Sequence, residues 1–372
     1  MFLALRELSF ARGRFALMGL VVALIALLTV LLSGLSVGLV NDGVSGLQRM
    51  PVTAFAFQAN VAKDSAFSRS VVDLDRVGVW ARRPGVTDAA PFGNTLVNAR
   101  SDRGVEIDLA LFGVQVGSFL DPDVGRGSRL AGDSEVVISR TAAEQGVDIG
   151  DTLTLEPAGT VLKVVGVLAD QHTFGHVDVA YLPLKKWQEI AGGVRPGDVV
   201  PEHVYSQATA VAIRGDTDLA AGDRAAGTTA MTLKDSFGAS PGYTAETATL
   251  LLIQVFLYAI SALVVGAFFT VLTIQRKQEI AVVRALGAGI GYLLRDSILQ
   301  SLVLLVVSAG AGLGLGVAAG AALSSTPMPF ALEARPIAVA TALLVVLGLV
   351  GAAVAVVRVA RVDPLIALGA SR

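Results

Sequence analysis

Four stretches of this chain are long and apolar enough to cross a bilayer, and none contains a Lys, Arg, Asp or Glu. They run from Phe15 to Val40, Leu250 to Ile274, Ile298 to Leu323 and Ile337 to Val357. About 20 apolar residues span the hydrocarbon, so the chain is expected to live in a membrane. The composition agrees: 53% of residues are hydrophobic and 16% charged, where soluble domains are nearer about a quarter charged. The first run is longer than the roughly 7–15 apolar residues of a cleaved leader and lacks a clear A-x-A site, so it reads as an uncleaved spanning helix. There are no cysteines, which excludes disulfides, thiolate metal sites and thiol nucleophiles.

Orientation follows from the placement of basic residues, which collect on the cytoplasmic side. The N-terminal flank, the loop between the second and third runs, and the C-terminal tail together hold 10 basic and 4 acidic residues. The long segment 41–249 holds 18 basic and 26 acidic residues. Both termini and the 275–297 loop are therefore predicted to be cytoplasmic. Segment 41–249 and the short loop 324–336 are predicted to lie outside.

The expected fold is an α-helical membrane protein with four transmembrane helices and an α+β extracytoplasmic domain inserted between the first and second. In chain order this gives an amphipathic N-terminal helix (1–14), the spans 15–40, 250–274, 298–323 and 337–357, and a cytoplasmic tail (358–372). Within the inserted domain, VEIDLALFGV (105–114) and TVLKVVGVL (160–168) alternate as strands do. DSEVVIS, DTLTLEP, VDVAYLPL and ATAVAIRG read as further strands, LPLKKWQEIAG as a strand end entering a helix, and Gly150-Asp151 as a turn. Two subdomains are expected, one from the membrane-proximal ends (about 45–115 and 205–245) and one from the strand-rich middle.

Candidate chemistry is sparse. The glycines of SAGAGLGLGVAAGAAL lie in an apolar run with no following Lys-Ser/Thr, and Gly312, Gly316 and Gly320 fall four apart, which predicts helix packing. No G-x-x-x-x-G-K-[ST] phosphate loop is present. His172 and His176 have i, i+4 spacing, but Gly175 and the strand that follows argue for a loop over a metal-binding helix. Neither a catalytic nor a metal site is expected, and the four runs lack the ionisable groups that an intramembrane enzyme needs.

The stretch TIQRKQEIAVVRALGAG (273–289) is more informative. Ile280, Val283 and Leu286–Gly287 share one helical face, Arg276 can pair with Glu279, and glycines end the pattern. A short amphipathic helix at the cytoplasmic surface of a chain without a nucleotide site suits docking to a soluble partner.

FFTVLTIQRKQEIAVVRALGAG resembles the E-I-x-x-x-R-A-L-G-A coupling segment of FtsX-like permeases, and RVARVDPLIALG resembles that family's closing motif. VVISRTAAEQGVDIGDTLTL, VLKVVGVL and AYLPLKKWQEI resemble the MacB-type extracytoplasmic domain, and the second-span motif with LLRDSILQ is most similar to the HrtB/DevC group. The resemblance implies the permease subunit of a mechanotransmission ABC exporter in the bacterial plasma membrane. It would work as a homodimer with a separate ATPase that binds ATP and Mg, and with no cofactor or nucleic acid on this chain. Arg276, Glu279, Ile280, Arg284, Ala285, Leu286, Gly287, Asp363 and Pro364 would meet the ATPase. The group implies a hydrophobic or amphipathic cargo, haem among them, taken from membrane lipid, with Asp42, Met50, Tyr243, Glu246 and Tyr258 as candidate contacts. The alternative is a non-transporting transmitter that activates an envelope enzyme or sensor through its outer domain.

Overall fold

The computed structural model describes residues 12–275, 290–326 and 328–360. It separates into two units, Val40–Glu246 and the apolar helices formed by residues up to 39 and from 247 onward.

In the Val40–Glu246 unit the alternating segments become one mixed sheet. Its strands are β1 (Ala54–Gln58), β2 (Val86–Ser101), β3 (Glu106–Val114), β4 (Val124–Gly127), β5 (Glu135–Ile138), β6 (Thr152–Glu156), β7 (Thr160–Leu168), β8 (Thr173–Phe174), β9 (Val177–Pro183), β10 (Ala210–Gly215) and β11 (Thr228–Thr232). The eleven strands follow the order β11-β1-β10-β2-β3-β9-β5-β7-β4, with β6 joining β2 to β7 and β8 paired to β9. The β3–β9 and β5–β7 pairs are parallel. The predicted strands 105–114 and 160–168 are β3 and β7, and the predicted helix after Pro183 spans Leu184–Ala191. Gly150 has φ +97°, as its turn requires.

Three apolar clusters are served by the continuous eleven-stranded sheet. The long strand β2 pairs with β10 at one end and with β6 at the other, so no break falls between the halves. One cluster is rich in aromatics: Phe92 meets Phe112 edge-on with centroids 4.9 Å apart, and Phe55, Phe67 and Phe174 extend the chain of rings. A second gathers Leu109, Leu111, Val136, Ile138 and Leu162, and a third gathers Trp80, Val211 and Ile213. Trp187, from the helix Leu184–Ala191, lies over a glycine pair. Gly93 on β2 faces Gly113 on β3 directly, and a Cβ at either would stand 2.2 or 2.5 Å from Trp187 atoms.

The four apolar runs form α1 (Arg12–Gln48), α2 (Tyr243–Gln275), α3 (Ile290–Leu323) and α4 (Ala334–Ala360). All four are long and apolar enough to cross a membrane. At 1.5 Å per residue, the 37-residue α1 is about 55 Å long against a hydrocarbon core of about 30 Å. It therefore outruns the predicted span 15–40, and its last turns belong to the α+β unit.

Within the helical unit, Phe15, Val22, Val265, Leu305 and Leu344 form a shared core. The glycine spacing in α3 has the consequence expected of it. A Cβ at Gly312 would lie 2.2 Å from the Ala23 carbonyl oxygen and one at Gly316 2.8 Å from Val30 Cβ, whereas Gly310 and Gly314 have nothing within 4 Å. Gly316→Leu is expected to lower helical-unit stability by about 1–3 kcal/mol through overpacking, and Gly314→Leu to change little. Thermal melting of the detergent-solubilised protein, followed by size exclusion, compares the two.

Candidate functional site

Five chain segments converge at the root of the α+β unit. The hairpin β8–β9 turns at Gly175 and His176, with φ of +58° and +67°, the double left-handed conformation of a type I′ turn. Its tip lies against the last turns of α1. A Cβ at Gly46 would stand 2.8 Å from Val179 Cγ2, and one at Gly43 would stand 3.7 Å from His176 Cε1. The missing side chains let the hairpin approach the helix. The Gly175 amide then donates to the Gly43 carbonyl at 2.9 Å, the Ser240 hydroxyl donates to the same carbonyl at 2.9 Å, and the Thr173 amide donates to Ser45 Oγ at 3.0 Å.

His176 sits at the centre. Its Nδ1 is 2.8 Å from Asp42 Oδ2, and its Nε2 is 3.0 Å from Glu246 Oε2. The three side chains are 29%, 25% and 33% exposed. Asp42 also accepts from Gln171 Nε2 at 3.2 Å. Glu246 lies in the first turn of α2, where the helix dipole favours a carboxylate. Two of the predicted cargo residues, 204 positions apart in the chain, are thus joined through a third that the sequence pattern assigns to a loop.

A second polar group lies behind it. His172 Nδ1 is 3.2 Å from the Tyr181 hydroxyl, and the His172 amide donates to Ser139 Oγ at 3.0 Å. Thr141 Oγ1 and Gln145 Nε2 both donate to the buried Asp178. Burial, helped by the positive charge of Arg49 and opposed by Asp170, pulls His172 down to about 4, so its ring is neutral near pH 7. Burial also raises Asp178 above the ordinary carboxylate range, against the Thr141 and Ser139 hydroxyls, and raises the Tyr181 phenol. Arg49 pairs with Asp170 at 3.0 Å on the exposed side.

These groups do not form a nucleophilic centre. The His172 ring bonds Tyr181 and not Ser139, so no imidazole activates the buried serine beside it. His172 and His176 diverge to different partners, and among the described residues no three His, Asp or Glu side chains are placed as metal ligands.

The remaining predicted contacts are scattered. Met50 is 5% exposed in the aromatic-rich core. Tyr243 stacks edge-on to Phe237 at 6.1 Å. Tyr258 packs, partly buried, on the core of the helical unit. Arg276, Glu279, Ile280, Arg284, Ala285, Leu286, Gly287, Asp363 and Pro364 lie outside the described residues. His176 carries only a weak signal in sequence, an imidazole beside a glycine between two strands. Nothing local indicates that residues 42 and 246 meet across it.

Comparison with known proteins bears on the helical half. The FtsX-like permease C-terminal family matches residues 251–364. Those residues are an FtsX-like permease domain. Relatives run the full length. A Staphylococcus epidermidis protein assigned by name as hemin transport system permease HrtB is 23% identical over 367 residues, covering 99% of both chains. One of the same name from Staphylococcus haemolyticus is 23% identical over 371 residues, and an uncharacterised ABC transporter permease of Mycobacterium tuberculosis is 23% identical over 375, again with 99% of both chains covered. Among solved structures, the extracellular domain of the ABC-type transporter YknZ from Gram-positive bacteria aligns at 15% identity with a TM-score of 0.34, over 49% of this chain and 98% of that one. The periplasmic region of MacB from Actinobacillus actinomycetemcomitans aligns at 13% with a TM-score of 0.35, over 50% and 91%. The chain is a membrane protein with an FtsX-like permease domain and an α+β unit inserted between its first and second apolar helices.

Proposed function

We propose that this chain is the permease subunit of a mechanotransmission ABC exporter that drives a hydrophobic or amphipathic compound, haem foremost, out of the plasma membrane. One observation carries the proposal: relatives assigned by name to hemin transport align with 99% of this chain and 99% of themselves, so the inserted unit and the permease domain occur together in both. The ATPase is a separate chain, since this one lacks a phosphate loop. Two permease copies pair with it, termini inward. Glu279 and Arg284 are the ion-pairing contacts of the coupling segment. Met50 is in the core and His176 holds Asp42 and Glu246, which leaves Tyr243 and Tyr258 as the first positions to substitute for cargo contact.

The test co-expresses the protein with its cognate ATPase in nanodiscs. The native permease is expected to stimulate ATP hydrolysis, and Glu279→Lys with Arg284→Glu to abolish the stimulation. Unchanged stimulation in the double variant would refute the coupling assignment. Haem as cargo predicts a Soret shift on mixing with the purified protein and haem sensitivity when the gene is deleted. Stimulation without either result would favour the signal-transmitting alternative.

A further inference from the structure

We infer that His176 is a proton-operated clasp that ties together the two chain ends of the α+β unit, closed when its ring carries both N–H protons and loosened when it gives one to solvent. The two ends are where the unit joins α1 and α2, so the clasp acts at both covalent entrances. It depends on neither the cargo nor the coupling reading.

The geometry sets the chemistry. Both ring nitrogens face carboxylate oxygens, at 2.8 Å to Asp42 and 3.0 Å to Glu246. A carboxylate only accepts, so both bonds exist only while both nitrogens donate. Loss of one proton turns one nitrogen into a lone pair aimed at a negative oxygen, and that arm of the clasp fails. With two N–H groups the bonds are charge-assisted and strong.

The surrounding groups do not substitute for the ring. From α1, Asp42 faces it and takes one further donor, Gln171. Arg49, also on the α1 side, pairs with Asp170. From α2, Glu246 faces the ring, and Tyr243 lies across Gly43 from it. On the hairpin itself, Asp178 is buried and raised, with Thr141 and Gln145 as its donors, and His172 turns away to Tyr181. The backbone is a second, independent sign. His176 has φ +67°, a conformation that Gly or Asn adopts more cheaply. A turn alone would be better served by either. Strain of this kind is kept where the side chain has a task.

The test measures amide exchange by mass spectrometry on the full-length protein in nanodiscs at pH 6 and pH 8, corrected for intrinsic rates. Peptides covering 171–178 report the hairpin, whose Gly175 amide is bonded to Gly43 and Ser240. In the native protein the hairpin should exchange about tenfold more slowly at pH 6 than at pH 8. In H176G and H176N, which keep the turn but cannot donate from two sides of a cationic ring, the corrected rates should match at the two pH values. His172, down near 4, stays neutral throughout this window. Equal native rates at both pH values, or a pH effect that survives in H176G, would overturn the clasp.

Discussion

Gly93→Val should lower the stability of the α+β unit by about 3–5 kcal/mol, the range for losing a buried tryptophan. The reason is positional. A Cβ at residue 93 would sit 2.2 Å from Trp187 Cδ2, inside any permissible contact. Trp187 already lies close on the backbone of the facing Gly113, where a Cβ would stand 2.5 Å from its Cγ, and its Nε1 donates to Thr95 at 3.1 Å. The ring, now 6% exposed, must leave or the two strands must part. Whole domains hold only about 5–15 kcal/mol, so a substantial fraction of the molecules should unfold at moderate temperature. Trp80 and Trp187 are the chain's two tryptophans and both lie in this unit, so intrinsic fluorescence of the full protein follows its melting without interference from the helices. Gly93→Ala made together with Trp187→Ala should cost no more than Trp187→Ala alone, since the clash is gone. A normal melting midpoint for Gly93→Val would show that the slot is not rigid.

That slot also shows where sequence reasoning reaches and where it stops. β3 and β7 are legible because one face of each meets solvent for part of its length: polar and apolar residues alternate along Glu106–Leu109, and in β7 the exposed Lys163 sits between the buried Leu162 and Val164. β1, AFAFQ, is buried on both faces over four residues and carries no such alternation. β2 contains Pro91 and Gly93, which read as breakers, yet Gly93 is there to admit Trp187 and Pro91 pairs with Val211 within the strand. The apolar runs suffer no such ambiguity, because an uncharged apolar stretch of about twenty residues matches the thickness of a bilayer and little else. The candidate site lies between these cases. Asp42 and Glu246 are visible as polar residues at the ends of apolar runs, but what they do depends on a hairpin tip 134 residues from one and 70 from the other. Spacing within a single element cannot carry that information.

The second large effect concerns pH. His172 is held at about 4 in the folded protein and has the ordinary value of about 6.5 when unfolded. Its contribution is therefore complete above pH 6.5 and is lost as pH falls toward 4, because only the unfolded chain gains the proton. The difference corresponds to about 3 kcal/mol. Asp178 acts in the opposite sense. Its raised value means that protonation on acidification favours the folded state, so the native profile is shallower than His172 alone would make it. Comparison with His172→Gln separates the contributions, since the amide keeps a polar group beside Tyr181 and does not titrate. Between pH 7 and pH 4.5 the native protein should lose about 2–3 kcal/mol more than the variant, read as the difference in tryptophan-fluorescence melting or urea unfolding. Parallel profiles would mean that the folded protein admits the proton, with the His172 ring reaching water. If the profiles diverge as expected, the acid sensitivity of the unit is carried by the neutral, buried His172 behind the hairpin.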